Sequence, residues 1–316
     1  MKTVRIASRG SKLALAQSNY IRGLIENLDR GVEVSIVEVS TKGDRDGSDF
    51  LHKSNSVGYF TSEVENALLD GRADLAVHSL KDLPTAYTKG LLVAAIPKRE
   101  SVADCLVARG RAACLADLPA GATVGTSSVR RIAQVRHLRS DLKCVPLRGN
   151  VETRLSKVAG GVVDAAIVAC AGLNRLGLAE KITGILPPRE FLPAPAQGAL
   201  AVQIRTPGAG PADIELAELI SKLDDKEARI TAQAERHILA SMHGGCSIPL
   251  GVYSEINAGN ISIDAMISDL EGTKYIRRSK TAPLDQALTA AEQLAQELLA
   301  AGGQEILDQI RAQRCD

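Results

Sequence analysis

Residues 122–138 read ATVGTSSVRRIAQVRHL. A short apolar strand ends at Gly125, three hydroxyl residues follow, and SVRRIAQVRHL has helical spacing. A strand, a turn and a helix in that order make the repeating unit of an α/β fold. The same unit recurs on both sides of this stretch. DCLVA, KCVPLRGN and DAAIVACAGLNRLG each read as a strand leading into a turn or helix. Such alternation predicts parallel sheets with helices on both faces.

Toward the N-terminus, residues 4–7 form an apolar strand. A helix from Ser11 carries Leu13, Tyr20, Leu24, Ile25 and Leu28, and Gly31 stops it. Residues 32–39 alternate as a half-buried strand does. Residues 41–58 read as a long functional loop. Thr61 or Ser62 caps a helix with Val64 and Leu68, LAVHS is the next strand, and KDLP follows its end. LLVAAI precedes PKRES, a polar crossing into the second series, and the Pro-rich residues 187–198 suit a return crossing. ALAVQI then rejoins the first series. From about Lys222 the character changes to a helix, the segment HGGCSIPLG, three strands, and helices at 284–300 and 305–311. Three domains are expected: 1–98 with 199–218, 99–198, and a small α+β domain at 219–316. Two open α/β units joined by two crossings would enclose a cleft, with ligands at the carboxyl ends of the strands.

The chain's 316 residues and 45% hydrophobic content suffice for several cores. Charge is balanced, with 38 Lys+Arg against 37 Asp+Glu, which argues against bulk nucleic-acid binding. Aromatics at 3%, with no Trp, leave little for base stacking. The opening MKTVRIASRG has no apolar signal region, and no run approaches a membrane span, so a cytoplasmic protein is expected. Six scattered cysteines form no C-x-x-C pair and no metal-ligand spacing, so no metal site is expected.

Chemistry concentrates after strands. In VGTSSVRR, a helix N-terminus offers backbone N–H groups. Thr126, Ser127 and Ser128 add hydroxyl donors, and Arg130 and Arg131 add guanidinium forks suited to carboxylates or phosphates. A serine cap followed by solvated arginines would give the same letters. Arg148 and Arg154 after one strand, Arg175 after another, and Arg9 with Ser11 after the first make that blander reading harder to hold. Five such places in a neutral chain point to convergence on an anion. Lys81 and Asp82 end the LAVHS strand; they are either a loop ion pair, or a carboxylate binder beside a proton carrier. His78, within that strand, fits a core as well as a site. Cys246 follows two glycines in HGGCSIP. It reads either as an inert loop thiol or as a covalent attachment point, since no relay beyond His243 accompanies it.

Taken together, these blocks resemble the porphobilinogen deaminase (hydroxymethylbilane synthase) family: RIASRGSKLALAQ, GRADLAVHSLKDLP, GTSSVRR, LRGNVETRL, AGLNRLG, LPAPAQGALAVQ and GGCSIPLG. They run from about Arg5 to Ile310 in the family's order. The resemblance implies three α/β domains, the first two like type II periplasmic binding proteins. It implies a dipyrromethane cofactor in thioether linkage to Cys246, and Asp82 as the catalytic residue beside Lys81. Carboxylate-binding positions would be Arg9, Ser11, Ser79, Thr126, Ser128, Arg130, Arg131, Arg148, Arg154 and Arg175, with Gln17 and Gln197 on matching blocks. The implied reaction joins four porphobilinogen molecules head to tail into hydroxymethylbilane with loss of ammonia, in a monomer without nucleic-acid or membrane partners.

Two departures stand out. Residues 56–60 read SVGYF where the family has a Gly-Lys-Gly-Leu-Phe-like run, with Lys53 nearby. Ala196 stands where Gly is frequent, although Gln197 and Gly198 remain. Two rivals stay open on the residues alone. One is a non-catalytic two-lobed anion receptor, which needs neither Asp82 nor Cys246. The other is a phosphate-ligand enzyme using GTSSVRR, which no P-loop or dinucleotide fingerprint accompanies.

Overall fold

The computed structural model describes residues 3–41, 61–208, 211–242 and 248–315. Cys246, His243, Lys53 and nearly all of the loop expected at 41–58 lie outside the described residues. The chain divides into two compact units, residues 1–100 with 199–229, and residues 101–198 with 230–316.

The first unit is built on a five-stranded sheet. Its strands are β1 (Thr3–Ser8), β2 (Glu33–Glu38), β3 (Leu75–Ser79), β4 (Leu91–Ala95) and β10 (Leu200–Arg205), in the order β2-β1-β3-β10-β4. β1 pairs in parallel with β2 and β3, while β10 runs antiparallel to β3 and β4. The returning segment therefore enters beside β3, as its apolar ALAVQI pattern requires. One face buries Val4, Ile6 and Leu75 against Ile21 and Ile25 of helix α1 (Lys12–Leu28). The other buries Ala7 and Ala76 against Val64 and Leu68 of α2 (Ser62–Leu69). Each fully buried Leu or Ile contributes roughly 1.5–3 kcal/mol.

The second unit holds two sheets. The first comprises β5 (Asp104–Ala108), β6 (Thr123–Gly125), β7 (Lys143–Val145), β8 (Ala165–Ala169) and β9 (Gly184–Leu186), in the order β7-β6-β8-β5-β9. β6 is parallel to β7 and β8, and β5 is antiparallel to β8 and β9. Helices α3 (Val129–Leu138), α4 (Val151–Ala159) and α5 (Cys170–Arg175) follow β6, β7 and β8. The second sheet is an antiparallel meander of β11 (Leu250–Asn257), β12 (Asn260–Ser268) and β13 (Tyr275–Pro283). Its core joins Ile238 on helix α7 (Lys226–Ser241) to Leu294 on α8 (Ala287–Leu298) and Ile306 on α9 (Gln304–Cys315).

Two elements differ from the sequence expectation. A helix, α6 (Pro211–Ser221), precedes the one expected from about Lys222, which begins only at Lys226. α6 sends Leu216 and Ile220 into the first unit's core, yet leaves Ile214 exposed, so no single apolar stripe announces it in the letters. The segment expected as helix 284–300 opens with a tight turn over 284–286. Gly302, at φ 111°, separates it from the next helix.

Candidate functional site

In the first unit, the expected residues gather where β1 and β3 end side by side. Ser11 caps α1, its hydroxyl accepting from Ala14 N–H at 3.3 Å. One turn on, buried Gln17 donates to Ser79 Oγ at 2.9 Å, which ties the helix to the end of β3. Leu80 follows, its N–H bonded to Ala199 O at 3.0 Å, and a single tight turn (Leu80–Asp82) carries Lys81 and Asp82 out of the sheet. Leu80 is fully buried while Asp82 is exposed, so the buried leucine anchors a carboxylate that faces outward. Arg9 is half-buried at the adjacent end of β1.

Beneath that turn lies a polar chain that the sequence reading did not find. His78 Nε2 is 2.9 Å from Gln203 Oε1, Gln203 Nε2 donates to Glu65 Oε1 at 2.9 Å, and Thr88 Oγ1 donates to Glu65 Oε2 at 3.0 Å. Burial pushes the His78 imidazole below its ordinary value, against the opposing pull of Glu65, Gln203 and Asp82. His78 is thus a neutral core histidine whose Nε2–H donates to the glutamine.

In the second unit, β7, β6 and β8 are parallel neighbours, so the loops after them share one edge of the sheet. Ser128 caps α3 by accepting from Arg131 N–H at 3.4 Å, and Thr126 Oγ1 accepts from Ser128 N–H at 3.2 Å. The Ser127 hydroxyl is engaged in both directions by the Leu147 backbone, which joins the β6 and β7 loops rather than offering a ligand donor. Arg148 and Arg154 are half-buried after β7, and Arg154 Nε donates to Gly149 O at 3.0 Å. Gly149 has φ 107°, and a Cβ there would meet Thr153 at 2.7 Å, so only glycine lets the chain fold back under Arg154. Arg175 ends α5 and donates to Gly198 O at 2.7 Å.

Arg130 and Arg131 are not solvated forks. Both are nearly fully buried, and both are held by Asp104, the first residue of β5, which is 0% exposed. Arg131 donates to Asp104 Oδ1 through Nη2 at 2.7 Å and through Nε at 3.2 Å. Arg130 Nη2 lies 2.8 Å from Oδ2, a buried ion pair. Gln197, also fully buried, donates from Nε2 to Oδ1 at 2.9 Å and to Val102 O. Burial alone would push the Asp104 carboxyl up. The charges of Arg130 and Arg131, with the hydrogen bonds from Arg131 and Gln197, outweigh it and hold the group well below the usual carboxylate range. Burial, set against the pull of Asp104, moves Arg130 down as well. A guanidinium stays charged at ordinary pH regardless, so the direction that matters is that of Asp104. Two guanidinium groups therefore face one carboxylate. Arg130 Nε is buried with no acceptor among the described residues. A buried excess of positive charge beside a helix N-terminus suits an acidic ligand.

This donor set of guanidinium groups, hydroxyls and helix N-termini fits a group rich in acetate and propionate side chains, as a dipyrromethane is. Among the described residues, no cluster of His, Cys, Asp or Glu could hold a metal ion, and no helix is long and apolar enough to cross a membrane. Asp104 and the His78–Gln203–Glu65 chain were both missed by sequence reasoning. Asp104 opens DCLVA, one strand before the strand that leads into the double arginine, and a carboxylate there was the available signal.

Two family models match the chain. One is described as porphobilinogen deaminase, dipyromethane cofactor binding domain, over residues 4–210, and the other as porphobilinogen deaminase, C-terminal domain, over residues 229–300. A protein named porphobilinogen deaminase from Maridesulfovibrio salexigens is 44% identical over 310 residues, 98% of this chain and 99% of that one. One of the same name from Corynebacterium diphtheriae is 40% identical over 305 residues, 96% and 99% of the two chains. Similar solved structures include the Bordetella pertussis BvgS VFT2 domain, with 18% identity, TM-score 0.39, and 70% of this chain and 86% of that one covered. Another is the second substrate binding domain of a putative amino acid ABC transporter from Streptococcus pneumoniae, with 18% identity, TM-score 0.41, and 75% and 97% covered.

Proposed function

The chain belongs to the porphobilinogen deaminase family, and from that premise we propose which of its residues do the work. The family's reaction is a transfer: four porphobilinogen molecules are deaminated and joined head to tail into hydroxymethylbilane, in tetrapyrrole biosynthesis. When bound, the dipyrromethane supplies the covalent primer on which the chain grows, and Cys246 is its proposed attachment point.

Asp82 is the proposed catalytic residue. Loss of ammonia from the aminomethyl group leaves an electron-poor methylene carbon. When a free pyrrole ring carbon attacks it, the new carbon–carbon bond puts positive charge on pyrrole nitrogen, and the attacking ring carbon must then lose its proton. An ionised carboxylate at an outward-facing turn can stabilise that charge and move protons. Lys81 beside it, with Arg9, Ser11 and Ser79 at the same sheet edge, would bind substrate carboxylates, and Gln17 would hold Ser79 in place. Thr126, Ser128, Arg130, Arg131, Arg148, Arg154 and Arg175 would bind acetate and propionate groups. Ser127 and Gln197 would act by holding the others. The observation that carries this reading is the buried pair of arginines sharing one aspartate at the start of α3.

The three sheets support three domains: 1–98 with the segment from 199 to the end of α6, 99–198, and the remainder to 316; the boundary expected at 218 moves past α6 because Ile220 packs in the first unit's core. We read the protein as a cytoplasmic monomer without nucleic-acid partners. The free thiols of Cys105, Cys114, Cys144 and Cys170 support a reducing compartment, and the balanced charge supports the absence of nucleic acid. The test of the catalytic assignment is Asp82→Asn. Its turnover of porphobilinogen should fall by roughly a hundredfold or more, while the intact mass still carries the cofactor. A turnover within twofold of the parent would contradict it.

A further inference from the structure

The loop that holds Asp104 is itself held from the C-terminal region. Gln197 reaches Asp104 from the last position of a turn. Ala194 O accepts from Gln197 N–H at 2.9 Å, Pro195 is the second residue, and Ala196 is the third with φ 60°. That is the pattern of a type II turn, whose third position favours glycine. With a side chain there, the left-handed backbone is strained. A buried carboxylate meets that residue. Glu235, on α7 and 0% exposed, accepts from Ala196 N–H at 2.7 Å. Its other oxygen accepts from Ser254 N–H at 3.1 Å and from Ser254 Oγ at 2.7 Å, on β11. Glu235 thus binds α7, β11 and the turn together. Pro193 O accepting from Val252 N–H at 2.9 Å reinforces the contact between loop and strand.

We propose that Glu235 is a positioning residue for the reaction. By pinning Ala196 in its left-handed conformation, it sets the Gln197 amide on Asp104, and so fixes the two guanidinium groups for the carboxylates of the substrate. This deepens the proposed function and rests on its reading of Arg130 and Arg131 as carboxylate binders.

The experiment measures KM and kcat for porphobilinogen, with thermal unfolding, in holoenzyme variants. Glu235→Gln keeps a single acceptor oxygen, which the two Ser254 donors claim, so its NH2 group is left facing Ala196 N–H. KM should rise about tenfold with kcat within threefold. Adding Ala196→Gly, which adopts the turn without strain, should bring KM back to within threefold of the parent. Ser254→Ala removes the hydroxyl donor from the other arm and keeps its backbone N–H bond, so it should lower the melting temperature and leave KM unchanged. An unchanged KM in Glu235→Gln, a raised KM that Ala196→Gly does not restore, or an equal rise in Ser254→Ala overturns the proposal. Should Glu235→Gln not accumulate as folded protein, Gln197→Ala cuts the same path and carries the same expected rise; an unchanged KM there overturns it. Arg130→Lys separates the two claims. If it raises KM and Glu235→Gln does not, the positioning role alone falls. If Arg130→Lys leaves KM unchanged, the carboxylate reading falls and the positioning role with it.

Discussion

The two five-stranded sheets share one plan and bury opposite charge. In each, three parallel strands are followed by a fourth running the other way, and in each that fourth strand supplies a buried polar residue. In the first unit it is Gln203 on β10, which links a neutral His78 to the Glu65 carboxylate. In the second it is Asp104 on β5, which holds two guanidinium groups. The first network carries one negative charge and lies under the turn that bears Asp82. The second carries one excess positive charge and lies under the loops that bear the arginines. One architecture thus places an exposed carboxylate, Asp82, at one sheet edge and two buried guanidinium groups at the other. The side chain on the antiparallel strand sets the difference.

The largest effect should come from breaking the charged network. Asp104→Ala leaves two buried guanidinium groups without their anion. It should cost about 3–5 kcal/mol in urea unfolding, the range for breaking a buried ion pair. Gln203→Ala, the matching cut in the first unit, removes the hydrogen bonds to His78 and to the Glu65 carboxylate but strands no paired charge, and should cost about 1–3 kcal/mol. If the two costs were equal, the contrast between the networks would be wrong.

Acid should separate the units next. His78 is held below its ordinary value when folded, so the unfolded chain takes up its proton first. The stability it confers is complete above the unfolded value of about 6.5 and is lost as pH falls from there toward the folded value, by at most about 1.4 kcal/mol per pH unit. Asp104 is held below the carboxylate range, so its contribution is complete above about pH 4 and is lost only in stronger acid. Between pH 7 and 5, amide-exchange protection should fall in β3 and hold in β8, once intrinsic exchange rates are removed. Equal changes in the two strands would contradict the assignment of a neutral buried His78.

The smallest effect concerns the turn at Ala196. Left-handed alanine is disfavoured relative to glycine, while glycine frees the unfolded chain. Ala196→Gly alone should therefore stabilise by roughly 0.5 kcal/mol. A loss of stability would show that the buried methyl matters more than the backbone strain.

Much of this plan is legible in the letters, because strand–helix alternation and caps are local. Ser11 and Ser128 cap the helices that their position before an apolar-periodic run implies. The edge residues Arg9, Lys81, Asp82, Arg148 and Arg175 fall after strands as expected. What the letters did not carry are pairings across long sequence separations. A pair of arginines reads the same whether solvated or buried, and only Asp104, 26 and 27 residues earlier, decides it. Glu235 sits among polar helix residues, and its partners lie 39 residues before it and 19 after it. Ala196 was visible as a departure from the family, but its meaning depends on a backbone angle. α6 was missed because its apolar residues do not keep to one face.

The central claim is that this chain builds its product on a pyrrole primer it carries itself. The intact mass of the purified protein tests it most directly. The account predicts a mass above that of the sequence by two linked pyrrole units, present in the parent and in Asp82→Asn and absent in Cys246→Ser. A parent protein at plain sequence mass that forms no tetrapyrrole from porphobilinogen would contradict it.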